Sequence, residues 1–182
     1  MKIRLVVTSA LMFALLLPLV AYAQTPYIAV FFDRTLTRMD KDCPGNGIAD
    51  SVFVVAIGFN TFVSGIDYAI DYPGTMTWLQ DLDTAPVTIG TTPTGISEGW
   101  GNPKNGFNPL VVAKVIFRWA CNACDVEDDP IVVVPNPHTG DLAATDFPDF
   151  NLIPAVGMTS LVCATVPTED TTWGKIKSLY KE

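Results

Sequence analysis

A two-sheet antiparallel β-sandwich is the fold that this 182-residue sequence predicts, and three observations predict it. Short apolar runs rich in β-branched and aromatic residues recur along the chain, turn residues separate them, and no long stretch repeats at helical period. Strands are not alternated with helices, so a parallel sheet with crossover helices is excluded. The 14 prolines and 13 glycines supply the punctuation.

The expected strands follow in order. Tyr27 to Phe32 and Ser51 to Phe59 are apolar throughout and suit buried strands. Between them, Cys43-Pro44-Gly45-Asn46-Gly47 is a cluster of turn formers. From Gly65 to Tyr72 the chain alternates, with Ile66, Tyr68, Ile70 and Tyr72 on one face and Asp67 and Asp71 on the other. Pro73-Gly74 turns the chain into Thr75 to Leu79, and the acidic stretch Asp81-Leu82-Asp83 precedes Pro86 to Ile89. Gly95 to Trp100 is a further short strand. Leu110 to Trp119 is the longest of the second half, with Lys114 and Arg118 marking a solvated side. Ile131 to Val134, ended by Pro135-Asn136-Pro137, and Val156 to Thr165 complete the set.

The two ends read differently. Lys2 and Arg4, the apolar run Leu5 to Val20 and the small residues of Ala21-Tyr22-Ala23 have the form of a secretory signal peptide cleaved after Ala23. The run is short for a membrane span and contains Pro18. Residues 1–23 are therefore assigned to the signal, 24–166 to the sandwich, and 167–182 to a linker and a short C-terminal helix. That helix has Thr171 or Thr172 as cap, acids near its start and lysines near its end. Trp173, Ile176 and Tyr180 fall on one face, which must dock on something because so short a helix is marginal alone.

Charge excludes one class of function. Lys2 and Arg4 leave with the signal, so the 11 Lys and Arg fall to nine against 19 Asp and Glu, a formal charge of −10. No basic cluster remains to neutralise phosphates, which rules out nucleic acid as a partner.

The four cysteines, Cys43, Cys121, Cys124 and Cys163, all lie beyond the signal, and an even count in an exported chain indicates two disulfides. Three pairings are open; the expected one joins Cys43 to one of the close pair and Cys163 to the other. A zinc site lacks ligands, since Cys121 and Cys124 have no second close pair and His138 is the single histidine. A redox pair would open a helix, whereas residues 125–130 (DVEDDP) read as a loop.

Other constellations offer candidate chemistry. Gly95-Ile96-Ser97-Glu98-Gly99 matches the nucleophile elbow, with Asp125, Asp128 and His138 following in hydrolase order. The elbow needs a strand that turns into a helix, and Trp100-Gly101-Asn102-Pro103 cannot start one, so catalysis by Ser97 is a remote alternative. Asp40, Asp42, Asn46 and Asp50 offer oxygens for calcium, although Pro44 stands where a third acidic ligand belongs and no bidentate Glu follows. The carboxylate pairs Asp67 with Asp71 and Asp81 with Asp83 are common in any acidic chain. Trp78, Trp100 and Trp119, with Tyr68 and Tyr72, would stack on sugars if exposed.

The succession of the Cys-containing loop, SVFVVAIGF, YAIDYPGTMTWL, PVTIGTTPTGISEGWG and TTWGKIKSLY resembles uncharacterised secreted proteins of environmental bacteria over nearly the whole mature chain. The ending Trp173 to Tyr180 is the most specific piece. The strand arrangement is similar, at the level of fold, to immunoglobulin-like, cohesin and carbohydrate-binding sandwiches. No catalytic residue transfers from either likeness. The expectation is a non-catalytic, disulfide-stapled module of the cell surface or extracellular space that binds a protein partner. A glycan is the second choice of ligand, through Trp78 and Trp100, while Trp173, Ile176 and Tyr180 offer a separate contact.

Overall fold

A computed structural model describes residues 25–83, 85–121 and 129–162. Among them are thirteen strands and no helix: β1 (Tyr27–Phe31), β2 (Asp40–Lys41), β3 (Ala49–Ile57), β4 (Phe62–Asp71), β5 (Met76–Asp83), β6 (Val87–Thr91), β7 (Gly95–Asn105), β8 (Leu110–Trp119), β9 (Asp129–Val134), β10 (Ala143–Phe147), β11 (Leu152–Pro154), β12 (Val156–Gly157) and β13 (Thr159–Val162). The expected C-terminal helix with Trp173, Ile176 and Tyr180, the expected signal segment, and Cys124 and Cys163 lie outside the described residues.

Two sheets form the sandwich. The first runs β12-β1-β3-β8-β5. The second runs β11-β10-β4-β9-β13-β2, with β7 beside β4 and β6 beside β7. β4 organises the second sheet: β7 pairs with it along one edge, while the other edge is shared by β10 at its start and β9 at its end.

The sandwich is thus all-β as expected, but not wholly antiparallel. β1 pairs with β12 in parallel, and so does β2 with β13. The cause is a crossover: the expected last strand breaks at Met158, leaving β12 on the first sheet and β13 on the second. A Cβ on Gly157 would fall 1.8 Å from the carbonyl oxygen of Val133, so only glycine lets this crossover pass so close to β9.

The core is what the alternation of the strands buries. Val30, Val52, Val54, Val115 and Phe117 from the first sheet meet Val63, Ile66, Tyr68, Ile70, Ile96 and Ile131 from the second. Tyr68 brings a polar tip inside and donates its hydroxyl to Glu98 at 2.9 Å. Burial, reinforced by that carboxylate, holds its phenol well above the ordinary pKa. A second, smaller cluster of Ala29, Phe31, Phe53 and Val55 lies on the outer side of the first sheet, where Leu36 and Met39 cover it.

The loop that carries Leu36 and Met39 is braced by one carboxylate. Asp33 accepts hydrogen bonds from the amides of Thr37 (3.0 Å) and Arg38 (2.8 Å), from the Thr37 hydroxyl (2.9 Å) and from the Thr35 hydroxyl. The Thr35 hydroxyl first, then the Arg38 and Thr37 donors, outweigh desolvation and hold this carboxyl well below its ordinary value of 3.8. Asp50 is shifted the same way: burial pulls its carboxyl up, and the Lys41 ammonium together with the Ser51 amide outweighs that pull. A depressed folded-state pKa stabilises fully above the unfolded value and is lost as pH falls towards the folded one. Unfolding free energy from urea titrations is therefore expected to hold steady from pH 7 to about pH 5 and to decline below about pH 4. Asp33→Asn should flatten part of that acid limb; an unchanged limb in the variant would refute the role given to Asp33.

One disulfide is described. Cys43, between β2 and β3, is bonded to Cys121, just beyond β8. This is one half of the expected pairing.

Candidate interaction face

The outer side of the second sheet is built from residues that alternate with the core positions. Across β6, β7, β4, β10 and β11, the register aligns Val87, Gly99, Gly65, Thr145 and Leu152 in one row. Ile89, Ser97, Asp67, Ala143 and Pro154 form the next row. Glycine occupies the middle because the strands there carry GISEGWG and FVSGID. The result is a groove of about 410 Å³ with Gly65, Gly99 and Gly101 as floor, Val87 as one wall and Phe150 as the other.

Phenylalanines extend the Phe150 wall. Phe150 packs edge-on against Phe147 at 5.7 Å, Phe147 lies opposite Phe62 in the β4–β10 ladder, and Phe62 packs edge-on against Phe107 at 5.9 Å. All four are exposed, Phe150 at 63%. With Val87, Ile89 and Leu152 they make seven of the twelve exposed large apolar side chains among the described residues. Scattered apolar residues need no explanation, but such a concentration on one face does.

A polar anchor fixes this face to the adjoining loops. The Asn136 amide donates to the carbonyl of Ile96 (3.2 Å), to Ser97 Oγ (3.2 Å) and to Asp67 (3.4 Å). Its side-chain oxygen accepts the His138 amide at 3.0 Å. Gly95, at φ +101°, lies so close that a Cβ would fall 2.2 Å from Asn136 Oδ1.

Among the described residues, those expected for a hydrolase or a calcium loop are not grouped into a site. Ser97 lies inside β7, not at a strand-to-helix turn, and its hydroxyl donates to Asp67. His138 meets the cluster through its backbone, and Asp125 and Asp128 are outside the described residues. Asp40 pairs with Arg38 at 4.0 Å, Asp50 with Lys41, and Asp42 and Asn46 are exposed. Among the described residues no three His, Cys, Asp or Glu side chains are grouped to hold a metal. Asp71 is exposed, whereas Asp81 is engaged by the amide (2.8 Å) and hydroxyl (2.7 Å) of Thr92.

The expected aromatic platform is not brought together. Tyr68, Trp100 and Trp119 are buried, and Trp78 is half-buried with its indole N–H bonded to Asp81 at 3.0 Å. Only Trp78 and Tyr72 share a surface groove, of about 530 Å³, with Met76, Pro93 and Pro137.

The sequence reading missed Phe62, Phe107, Phe147 and Phe150. The available signal was an aromatic residue set among turn formers, as in Asn60-Thr61-Phe62, Gly106-Phe107-Asn108 and Pro148-Asp149-Phe150-Asn151. A core does not draw on such positions, so a phenylalanine there is free to face outwards.

No protein-family model matches the chain, and no curated protein matches it significantly. Solved structures do match in fold. CaCohA2 of Clostridium acetobutylicum, in its complex with a variant of CaDoc0917, aligns with TM-score 0.52 and 16% identity over 78% of this chain and 100% of its own. The third ScaB cohesin of R. flavefaciens, in complex with a group 1 dockerin, aligns with TM-score 0.52 and 11% identity over 80% and 99%. A non-cellulosomal cohesin from the hyperthermophilic archaeon Archaeoglobus fulgidus gives 0.50 and 12% over 83% and 98%. The fold is cohesin-like.

Proposed function

We propose that this chain is an exported, non-catalytic module that docks a protein partner on the outer face of the β6-β7-β4-β10-β11 sheet. The observation that carries this reading is the gathering of seven exposed apolar side chains, two of which, Val87 and Phe150, form the walls of a glycine-floored groove on the same face. Three glycines in the floor between Val87 and Phe150, with Ser64 and Thr145 beside them, leave room for the bulky residues of another backbone, and water is displaced from apolar walls on both sides. Fold similarity to a cohesin whose structure holds a dockerin supports a protein rather than a glycan as ligand. The burial of Tyr68 and Trp100 weighs against the sugar platform. The engagement of Ser97 by Asp67 and Asn136 weighs against hydrolysis.

Export is supported by the pattern of residues 1–23 and by the Cys43–Cys121 bridge, since disulfides persist in oxidising compartments. The proposed organisation is signal 1–23, sandwich 24–166, and a linker with a short helix over 167–182. The remaining cysteines, Cys124 and Cys163, are assigned to a second bridge.

Gly101→Arg tests the docking face with little risk to the fold, because no atom lies within 4 Å of the Cβ it would add. Immobilised wild-type chain is offered the exported proteins of its source, beside Gly101→Arg and a Thr77→Arg control on the other sheet. A protein retained by the wild type and the control but weakened about tenfold or more by Gly101→Arg, equivalent to about 1.4 kcal/mol at least, is the expected result. Equal retention by all three would overturn this assignment of the face.

A further inference from the structure

The opposite side of the sandwich carries a second site of different chemistry. Outward positions of the first sheet bear Lys114 and Arg118 from β8, and the loop after β1 brings Arg34 over the same surface. Arg34 sits above the Phe53 ring at 5.9 Å from its centroid. Together Arg34, Lys114, Phe53 and Val111 line a groove of about 340 Å³.

Two features mark it as a built site. First, the loop that holds Arg34 is fixed by the hydrogen bonds to Asp33 and by Leu36 and Met39 packing on the cluster around Phe53. The guanidinium is thereby placed before any ligand arrives, which lowers the entropy lost on binding. Second, the described ion pairs are Arg38 with Asp40 and Lys41 with Asp50, and neither uses Arg34, Lys114 or Arg118. In a chain with 19 acidic side chains against 11 basic, carboxylates were available to neutralise this face, yet these cations remain without a described ion pair.

We propose that this groove binds a small amphipathic carboxylate. Phe53 and Val111 receive its apolar body, and Arg34 and Lys114 hold its anionic end from two sides. The floor is apolar: Phe53, 8% exposed, lies beneath the Arg34 guanidinium, and the half-buried Val111 lies beside it. A cation above an aromatic ring keeps its donors directed outwards, where a carboxylate can accept them. The net negative charge of the protein repels anions elsewhere, so the groove is locally distinctive. The site is independent of the docking face, being on the other sheet.

The test uses 2-naphthoate as probe and neutral 2-naphthamide as its control, read by chemical-shift perturbation on the full exported chain. Naphthoate is expected to shift resonances of Phe53, Val111 and Lys114, and naphthamide to bind about tenfold more weakly. Arg34→Gln and Lys114→Gln should each weaken naphthoate several-fold and leave naphthamide unchanged, and Lys114→Arg should retain binding. Since Lys114 is half-buried, thermal melts of each variant exclude unfolding as the cause. Equal binding of the acid and the amide, or naphthoate binding indifferent to both Gln variants, would overturn the proposal.

Discussion

Cys43→Ser is expected to destabilise the oxidised protein by about 4 kcal/mol, the cost of freeing a closed loop of this length in the unfolded chain. The bridge spans 78 residues and so encloses β3 through β8. A sandwich has few local contacts to offset its chain entropy before the sheets meet, which makes a long-range link valuable to it. The bond also joins two points that the backbone already brings together. Gly47 donates to the Trp119 carbonyl at 2.8 Å, and Trp119 donates to that of Ile48 at 2.8 Å. The staple therefore acts on the unfolded state without reshaping the folded one. In urea the midpoint should fall by about 2 M, given a slope near 2 kcal/mol/M for a domain of this size. The double variant Cys43→Ser/Cys121→Ser should match the single one. A loss below about 1 kcal/mol would show that the loop is restrained by other means. Peptide mapping of the same non-reduced material tests the proposed bridge between Cys124 and Cys163.

How far the fold could be read in advance depended on where each strand places its apolar residues. SVFVVAIGF declares itself because both faces of β3 are covered, one of them in part by Leu36 and Met39, and LVVAKVIFRW because its core face is apolar throughout. The alternating YAI pattern showed which side of β4 faces the core, and Tyr68 and Ile70 are buried as expected. β10, with the sequence AATDF, was invisible. Its contribution to the core is Ala144 opposite Ile66, a small residue that leaves no periodic signal. β2 and β12 have two residues each, too few to show any period. Their parallel pairings depend on where the chain crosses between sheets, and that is set by Gly157 against Val133, a contact between distant parts of the sequence.

The candidate site was less legible than the fold, for a related reason. Composition shows that aromatic residues are present; whether a ring faces core or solvent depends on its register, and a bulge resets that register between Val63 and Gly65 in β4. Tryptophans are the more usual sugar-stacking side chains, whereas the exposed rings of this face are phenylalanines in or beside turns. Lys114 and Arg118 were read as the solvated side of their strand, and Arg118 is indeed exposed. Arg34 joins them only through the folding of its loop onto Phe53, which no spacing in the sequence reports.

Trp119→Ala is expected to cost about 3–5 kcal/mol, the largest effect of any single tryptophan in the described chain. The residue is fully buried at the end of β8 and meets Phe117 edge-on, with ring centroids 5.0 Å apart. Truncation removes the transfer free energy of an indole and leaves a void that rigid strand neighbours cannot close. The backbone cannot slide to fill it, because Ala120 donates to Thr75 at 2.8 Å and Cys121 is tied to Cys43. Trp119→Phe keeps an aromatic ring against Phe117 and should lose roughly half as much, since less volume is vacated. Trp78→Ala provides the comparison: half-buried on the β5 edge, it should cost clearly less. Chemical denaturation of the three variants ranks them directly. Trp78→Ala proving as damaging as Trp119→Ala would mean that the β5 edge, not the end of β8, closes the core.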